Sequence, residues 1–356
     1  MAKVNLFELE PEGIVRSLKG QRIIIYGSNS VGKTKTLSKM ADGKVLLIAA
    51  ESGDNGVSCA KVKVHKWTEF VDLVNQLTSE KPSKADSSKK EWEVLQEKYE
   101  VIGLDTSDAL IELSEAQTCT ELGVRDLSEN EDTTKNGWAI YRKNFKKQIE
   151  KLCSYGYCVI EIAHEEIVLK DANGVTVSKR PKNDDSIVDF VQPKGTENKK
   201  SANRYLRDNA DFCMYIKSNG VDENGKVIPS SAICVQTKNV FARSRYDIVS
   251  TIPVFSAANL TKAILDAIEK TAKEEDAQIV EWEHKSEAYS AKELIEMIEP
   301  YYKAIYEKNP DKVIAIVEEE LGEGAKVSKA TEDNLAELEN IYNKLVSFAD
   351  DQQIKI

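Results

Sequence analysis

Residues 22–34 read Arg22-Ile-Ile-Ile-Tyr-Gly27-Ser28-Asn29-Ser30-Val31-Gly32-Lys33-Thr34. The apolar run before Gly27 predicts a buried strand, and the residues after it match the phosphate-binding P-loop pattern G-x-x-x-x-G-K-T. Glycines in such a loop let backbone N–H groups approach phosphate oxygens without an intervening Cβ. Lys33 would supply a positive charge for the β- and γ-phosphates, and the Thr34 hydroxyl can ligate Mg²⁺. We therefore predict that Gly27–Thr34 binds a nucleoside triphosphate.

The composition of the chain sets broad limits on its class. Its 356 residues allow one large domain and one small domain, and a hydrophobic content of 41% argues against global disorder. The sequence contains no apolar stretch of membrane-spanning length and no signal-peptide core, so we expect a cytoplasmic protein without a membrane partner. Six scattered cysteines without a C-x-x-C pair do not suggest a zinc site.

The negative charge of the chain is concentrated at its C-terminal end. Residues Ala257–Ile356 contain 23 acidic and 12 basic residues, which accounts for the whole net charge of −11. Such an asymmetry is typical of a change of domain. We therefore predict two domains, residues 1–256 and residues 257–356, the second acidic and helical.

Buried strands and amphipathic helices alternate after the P-loop. The predicted strands are Lys44–Ala50, Tyr99–Leu104 and Tyr157–Ala163, and the predicted helices between them include Trp67–Leu77 and Trp138–Leu152. This alternation predicts an α/β fold with a mostly parallel, doubly wound sheet. Each strand is followed by a polar residue, namely Glu51, Asp105 or His164. Because ligands bind at the carboxyl ends of parallel strands, these residues should surround the phosphates.

Each of these polar residues has a candidate role. Asp105 ends an apolar strand in the manner of a Walker B element and would hold Mg²⁺ opposite Thr34. Glu51 is the leading candidate for the general base that orients or deprotonates the attacking water, the alternative being a solvated loop glutamate. His164 could donate a hydrogen bond to the γ-phosphate or sense its loss. The alternative for His164 is a structural histidine at the start of a loop.

The pattern changes in the C-terminal half of the sequence. Short strands joined by turns are predicted at Phe212–Lys217, Ala232–Thr237 and Arg245–Ser250, as antiparallel additions to one edge of the sheet. Further along, helices are predicted at Leu260–Thr271, Ala291–Tyr306, Asp311–Glu320 and Glu332–Ala349.

Together, the order of these motifs resembles the RecA core, over about residues 15–256. It is most similar to the compact RecA-like ATPases of bacteriophages, a family that includes single-strand annealing recombination proteins. The resemblance implies Mg²⁺-dependent ATP hydrolysis with Glu51 as the catalytic glutamate. It also implies that His164 is the γ-phosphate sensor, a position that is usually glutamine in RecA-like proteins.

A basic turn near residue 240 resembles the finger that a RecA-like subunit inserts into its neighbour's ATP site. The residues concerned are Lys238, Arg243 and Arg245. Such a finger would neutralise charge that develops on the γ-phosphate, and it would make the active form a homo-oligomer with shared sites. The alternative is an ordinary basic hairpin turn.

The segment between His164 and Asp211 has few apolar residues and many basic ones, which predicts a mobile loop. In RecA-like proteins the loop after the sensor strand lines the DNA-binding axis. The residues expected to contact single-stranded DNA here are Lys179, Arg180, Lys182, Lys199, Lys200 and Arg204. Phe190 or Tyr205 would be available to stack on bases. A solvated surface loop is the alternative.

These observations favour an ATPase that acts on single-stranded DNA in phage recombination or replication, inside a bacterial host. Its expected partners are single-stranded DNA, further copies of the chain, and a single-stranded-DNA-binding or replication protein. The alternative is a nucleotide-controlled protein-binding switch or loader that uses the acidic C-terminal helices. Those helices could also mimic DNA electrostatically or form a solvated bundle, the interpretation that we favour.

Overall fold

The structure is a computed structural model that describes residues 12–51, 56–130, 136–180, 186–284, 291–331 and 334–352. The chain divides into two compact units, a larger one within residues 11–284 and a smaller one within residues 285–356. Among the described residues, no helix has the combination of length and apolar character needed to cross a bilayer.

The larger unit contains all the described strands and seven α-helices. Its strands are β1 (Ile14–Val15), β2 (Arg22–Tyr26), β3 (Val45–Ala49), β4 (Ala60–Lys63), β5 (Val101–Asp105), β6 (Cys158–Ala163), β7 (Glu165–Lys170), β8 (Thr176–Val177), β9 (Val188–Pro193), β10 (Phe212–Lys217), β11 (Ser231–Ile233), β12 (Arg243–Ser244), β13 (Thr251–Ile252) and β14 (Ile279–Val280). Its helices are α1 (Lys33–Leu37), α2 (Trp67–Leu77), α3 (Glu91–Lys98), α4 (Ser107–Leu122), α5 (Gly137–Ser154), α6 (Ala202–Asn209) and α7 (Ala257–Glu274).

The central sheet has a parallel core, as the alternation of strands and helices predicts. Its strand order is β13-β11-β10-β2-β6-β5-β3-β4, and the six strands from β10 to β4 are parallel to their neighbours. β6 therefore lies between the P-loop strand β2 and β5, the strand that ends in Asp105. The carboxyl ends of β2, β3, β5 and β6 meet at one edge of the sheet.

Both faces of this sheet are covered, which explains the continuous apolar runs of its strands. On β2, Ile24 and Tyr26 pack in a cluster with α2 and α5, whereas Ile23 and Ile25 pack in a second cluster with α7. Successive side chains of a strand point to opposite faces, so one five-residue strand serves both clusters.

The unit boundary lies later than the charge asymmetry predicts. Helix α7 was assigned to the C-terminal domain, but Leu260, Ile264 and Ile268 on its apolar face are fully buried in the core of the larger unit. After α7 the chain returns to pair β14 with β1 in parallel. The compact unit thus extends to His284 instead of residue 256, because helix burial and not charge decides membership of a core.

The strands after residue 211 also differ from the expectation. Phe212–Lys217 was predicted as an antiparallel edge strand, but β10 runs parallel to β2 and belongs to the core. It follows α6, so the chain has crossed over before entering the sheet. The antiparallel additions are β11, β12 and β13. Residues 245–250 form no strand; the strands lie on either side of them, at Arg243–Ser244 and Thr251–Ile252.

The segment after His164 was predicted as a mobile loop, and this prediction is wrong for its described residues. Strands β8, β7 and β9 form an antiparallel three-stranded sheet in that order, with β7 paired to β9 from Glu165↔Pro193 to Lys170↔Val188. Helix α6 follows. The β-branched and aromatic residues in this stretch, although few, are enough to form strands. We call residues 165–209 the post-β6 module.

The smaller unit consists of three described α-helices and a short 3₁₀ turn at Val327–Lys329. The helices are α8 (Ala291–Tyr306), α9 (Pro310–Leu321) and α10 (Leu335–Asp351). They bury a core of their own that includes Leu294, Ile298, Ile316, Ile341 and Leu345. The helices predicted after residue 290 are therefore present, and they form a separate apolar cluster.

Candidate nucleotide-binding site

The P-loop joins β2 to α1 in a conformation that requires glycine at two positions. A Cβ on Gly27 would lie 2.5 Å from the backbone oxygen of Ile216, too close for any side chain. Gly32 has φ of +90° in the left-handed region, which residues with a side chain rarely adopt. The Lys33 ammonium donates hydrogen bonds to the backbone oxygens of Gly27 (2.6 Å) and Ser28 (2.8 Å). The loop therefore folds around its own lysine.

Lys33 is buried among carboxylates. Burial lowers the pKa of its ammonium group, and the nearby carboxylates of Asp105, Glu165 and Asp108 oppose that lowering. A buried cation at the mouth of a strand-to-helix loop is suited to an anionic ligand, because phosphate oxygens can replace the backbone carbonyls as its partners.

The proposed metal ligands are in direct contact. The Thr34 hydroxyl donates a hydrogen bond of 2.8 Å to the carboxylate of Asp105. Asp105 ends β5 and is 9% exposed. Hydroxyl and carboxylate oxygens are hard ligands of the kind that Mg²⁺ prefers, so this pair fits the ion. Nucleotide phosphates and water would complete such a site, since Mg²⁺ is commonly bound through few protein groups.

Glu51 lies beside this pair. It follows β3, which neighbours β5, and its carboxylate accepts a hydrogen bond of 2.7 Å from the Thr106 hydroxyl. Thr106 is the residue directly after Asp105. The side chain of Glu51 is solvent-exposed, whereas that of Thr106 is buried. An exposed carboxylate held by a buried donor is a suitable arrangement for handling a water molecule.

His164 is held by a buried aspartate on α4. Asp108 is 4% exposed, accepts a hydrogen bond from the backbone N–H of His164 (2.8 Å) and lies 3.0 Å from its Nδ1. The hydrogen bond that the imidazole makes to the Asp108 carboxylate raises the pKa of His164, although burial opposes this. The other oxygen of Asp108 accepts from Nδ2 of Asn203 on α6 (3.1 Å). Asp108 thus connects the end of β6 to the post-β6 module.

The sequence-predicted site residues therefore divide into two groups. The structure brings together the P-loop, Glu51, Asp105 and His164 at one edge of the sheet, while their catalytic roles stay predictions. The basic residues of the predicted finger lie elsewhere. In the sheet, Arg243 of β12 is opposite Cys213 of β10, which is in turn opposite Ile24 of β2. Arg245 contacts Asp211, the residue before β10.

In the same chain, Arg245 is near the amino end of β2, because Asp211 bonds to both Arg245 and Arg22, whereas Arg243 is level with the middle of β2. Lys238 belongs to a turn in which the Asn239 side chain donates to the backbone oxygen of Asp189 and Val191 N–H donates to that of Asn239. None of the three completes the nucleotide site of its own chain in the described structure.

The predicted DNA contacts have varied surroundings. Arg180 pairs with Asp189 at 2.8 Å, and Arg204 pairs with Asp208 at 2.8 Å and donates to the backbone oxygen of Thr196. Lys179, Lys199 and Lys200 are exposed. Lys182 lies outside the described residues. Residues 165–209 contain nine basic and eight acidic residues, so the module is nearly neutral overall.

The aromatic residues expected to stack on bases are engaged within the protein. Phe190 is 5% exposed, and the Lys170 ammonium lies 3.8 Å from the centre of its ring. Tyr205 is half-buried, with its hydroxyl donating to Glu150 and the Arg22 guanidinium 5.4 Å from its ring centre. Stacking on bases by Phe190 is therefore excluded in this conformation.

Several residues of the site were missed from the sequence. Thr106 and Asp108 could have been found, because they are polar residues at the turn from the Asp105 strand to the next helix, and such positions often contribute to ligand sites. Asn203 gave no signal, because the turns that bring α6 to Asp108 cannot be read from local patterns.

Comparison with known proteins assigns this site to a family. A family model described as an AAA domain matches residues 19–246, which include β2, β3, β5, β6 and the complete site. The chain belongs to this AAA domain family. Its core is therefore a nucleotide-binding P-loop ATPase domain.

The chain is also similar along nearly its entire length to one curated protein. This is the SPbeta prophage-derived uncharacterized protein YorG of Bacillus subtilis (strain 168). The two are 30% identical over 350 residues, which cover 96% of this chain and 98% of the relative. The similarity to this prophage relative therefore extends through the sequence of the smaller unit as well as that of the P-loop domain.

Proposed function

We propose that this chain is a RecA-like phage ATPase that hydrolyses ATP with Mg²⁺ and acts on single-stranded DNA in recombination or replication, in the cytoplasm of a bacterial host. The observation that carries the ATPase part is the contact of Glu51 with Thr106, next to the Asp105–Thr34 pair. It supports a carboxylate at the carboxyl end of β3 as the group beside the reacting phosphate. The resemblance to the RecA core implies the same.

In this proposal the residues of the chain divide the work of hydrolysis. Lys33 binds the β- and γ-phosphates in place of the two loop carbonyls that it now contacts. Thr34 and Asp105 would hold Mg²⁺, which supplies charge neutralisation on the phosphates. Glu51, kept in place by Thr106, orients the attacking water and accepts its proton.

His164 is proposed as the γ-phosphate sensor. The Nδ1 contact with Asp108 leaves Nε2 as the ring nitrogen for another partner, and the raised pKa favours the imidazolium, which can donate to a phosphate oxygen. Because Asp108 also holds Asn203, a change at His164 would reach α6 and the rest of the post-β6 module. This contact supports a link between nucleotide state and that module.

Single-stranded DNA is proposed to bind the exposed lysines of the module, Lys179, Lys199 and Lys200. Lysine–phosphate contacts would make the binding salt-dependent and tolerant of sequence. The near-neutral charge of the module predicts a modest affinity for single-stranded DNA. An ATP-dependent change in the contacts of these lysines would therefore alter DNA binding by a large factor. The decisive experiment is the ATPase rate with and without single-stranded DNA, over a range of protein concentrations. The DNA proposal fails if DNA neither binds at low salt nor changes the rate.

We propose that Lys238, Arg243 and Arg245 act in a neighbour's site within a homo-oligomer, since the contacts described for the nucleotide site of their own chain include none of them. A mixing experiment tests this directly. Arg243→Ala lacks the finger but keeps its own site, and Lys33→Ala lacks the site but keeps the finger. If the finger acts between chains, mixing the two inactive variants restores a fraction of the activity. An ATPase rate per chain that is unaffected by dilution would argue against any shared site.

A nucleotide-controlled switch or loader is the second candidate, favoured by the separate core of the smaller unit. In that case the unit binds a partner such as a single-stranded-DNA-binding or replication protein. Because α7 belongs to the larger unit, the informative truncation removes residues 285–356 and keeps α7. If the protein is a loader, the truncated protein no longer binds the partner but still hydrolyses ATP. If it is a DNA-stimulated ATPase, the truncated protein is still stimulated by DNA.

A further inference from the structure

The connection between β10 and β11 leaves the sheet beside the P-loop. β10 is parallel to β2, with Tyr215 opposite Tyr26, so the carboxyl ends of both strands lie at the same edge. The two segments are so close that a Cβ on Gly27 would lie 2.5 Å from the backbone oxygen of Ile216. Residues 218–230 follow from this point, and the chain then returns as β11. We call residues 218–230 the β10–β11 hairpin.

The hairpin is held in shape by its own polar groups. The Asn219 side chain donates a hydrogen bond of 2.7 Å to the backbone oxygen of Pro229, which closes the base of the hairpin. At the tip, the Asp222 carboxylate accepts hydrogen bonds of 2.9 Å from the backbone N–H groups of Asn224 and Lys226. A hairpin fixed at its base and at its tip presents its side chains in a defined arrangement, which lowers the entropy lost when a ligand binds them.

Two valines form an aliphatic surface on this hairpin. Val221 is opposite Val227, and backbone hydrogen bonds lie on either side of this pair. Directly opposed residues of an antiparallel pair point to the same face, and their side chains are close together when the pair itself is not hydrogen-bonded. Val221 is 59% exposed and Val227 is 72% exposed. The hairpin therefore presents a contiguous apolar surface at the edge of the sheet that carries the P-loop.

The order of the strands indicates which part of a nucleotide would meet this surface. Asp105, Glu51 and His164 are at the carboxyl ends of β5, β3 and β6, which all lie on one side of β2. These are the groups proposed above for the metal ion, the attacking water and the terminal phosphate. A nucleotide whose terminal phosphate points toward them extends its nucleoside toward the other side of β2, where β10 and the hairpin lie.

We propose that Val221 and Val227 form a nucleobase subsite, in which their methyl groups contact one face of the base of a nucleotide bound at Gly27–Thr34. The face of a base has little polar surface, so its burial against aliphatic side chains is favourable. A valine side chain has no hydrogen-bonding group, so the pair contacts the face of the base without reading its edge. The inference deepens the proposed ATPase function and rests on nucleotide binding by the P-loop.

The test compares AMPPNP with inorganic tripolyphosphate, a ligand that has the phosphates but no base. Calorimetric titrations with Mg²⁺ measure the affinity of each ligand for the full-length wild-type protein and for the double variant Val221→Ser, Val227→Ser. We expect AMPPNP to bind about eightfold more weakly to the variant, the effect of leaving about 50 Å² of apolar surface unburied. Tripolyphosphate affinity should change less than about twofold. GMPPNP should lose as much affinity as AMPPNP, because both purines present a similar face.

Two control variants accompany the test. Val249→Ser removes a valine that is 56% exposed and lies two residues before β13. Because β13 is antiparallel to β11, and β11 to β10, β13 runs parallel to β10 and Val249 lies toward the opposite edge of the sheet. This variant should bind AMPPNP as the wild type does. The double variant Val221→Ile, Val227→Ile keeps the apolar surface, so its AMPPNP affinity should stay within about twofold of the wild type. Thermal unfolding checks that each variant is folded.

Three results would overturn the inference. The first is an unchanged AMPPNP affinity in the folded serine variant; if its chains also fail to associate, the valines contact a neighbouring chain instead. The second is an equal loss of AMPPNP and tripolyphosphate affinity, which would mean that the hairpin acts on the P-loop itself. The third is a loss confined to AMPPNP, with GMPPNP unaffected, which would mean that the edge of the base is read.

The readouts separate this inference from the proposed function. Tripolyphosphate binding reports on the phosphate site alone, so the nucleobase subsite can be refuted while the ATPase proposal stands. None of the titrations requires hydrolysis or DNA. A failure of DNA to bind or to change the ATPase rate would refute the DNA proposal and leave these affinities interpretable.

Discussion

Two regions of the molecule carry many charged residues: the sheet edge formed by the carboxyl ends of β2, β3, β5 and β6, and the post-β6 module. The two regions differ in how far apart in sequence the contacting residues are. At the sheet edge, the polar contacts join residues far apart in sequence, as in Thr34–Asp105, Thr106–Glu51 and His164–Asp108. In the module, Arg180 and Arg204 pair with acidic residues within nine positions, in ion pairs that are exposed or half-exposed.

This difference indicates where preorganised chemistry lies. Contacts between distant segments exist only in the folded state, and the sheet that forms them also fixes their geometry. Exposed ion pairs between near neighbours contribute little to stability and can exchange partners readily. The sheet edge therefore resembles a catalytic site, whereas the module resembles a surface that binds through charge.

Lys33→Ala should have the largest effect, because it removes the buried cation at the centre of the sheet edge. We expect nucleotide binding or turnover to fall at least about a hundredfold. Equilibrium binding of labelled ATP, together with steady-state hydrolysis, measures both quantities. Normal binding and turnover in this variant would show that residues 27–34 are not the phosphate site.

Glu51→Gln should separate binding from chemistry. The amide can accept the Thr106 hydrogen bond but cannot accept a proton, so we expect ATP to bind normally and to be hydrolysed about 10²- to 10⁴-fold more slowly. Single-turnover hydrolysis measures the chemical step. Thr106→Val is the control, because it keeps the Glu51 carboxylate but removes the hydrogen bond that orients it. We expect a smaller decrease in the hydrolysis rate for this variant. An unimpaired rate in Glu51→Gln would remove Glu51 from the catalytic role.

The surface character of the module can be tested with two paired variants. Lys199→Ala with Lys200→Ala should weaken single-stranded DNA binding and lower the slope of log affinity against log salt concentration by about 1.4. Arg204→Ala removes a residue engaged with Asp208 and Thr196, so its main effect should be on stability. Titrations at several salt concentrations measure the slope. An equal loss of salt dependence in both variants would show that Arg204 contacts phosphate too.

The smallest effect concerns the pH dependence of stability at His164. The folded-state pKa of this imidazole is raised by Asp108, so its contribution to stability is fully present below the ordinary histidine pKa of about 6.5. The contribution is lost as the pH rises through the raised folded-state pKa. Melting temperatures of the wild type and His164→Gln should therefore differ most at low pH and converge at high pH. A difference independent of pH would mean that the His164–Asp108 contact does not favour the imidazolium.

The sequence alone determined the α/β class, the P-loop and the positions of Glu51, Asp105 and His164. Apolar runs identify buried strands, and a polar residue after such a strand lies at the carboxyl edge of a parallel sheet whatever the loops do. Helices such as Trp67–Leu77 were also predictable, because their apolar spacing is local.

The tertiary structure alone decided which partner each of those residues has. The direction of β10, the inclusion of α7 in the core and the pairing of β7 with β8 and β9 all depend on how distant segments pack. Charge composition suggested a boundary at residue 256 and a mobile basic loop, but burial of apolar faces outweighed charge in both places. The contact of Asp108 with Asn203 likewise arises only when those segments meet.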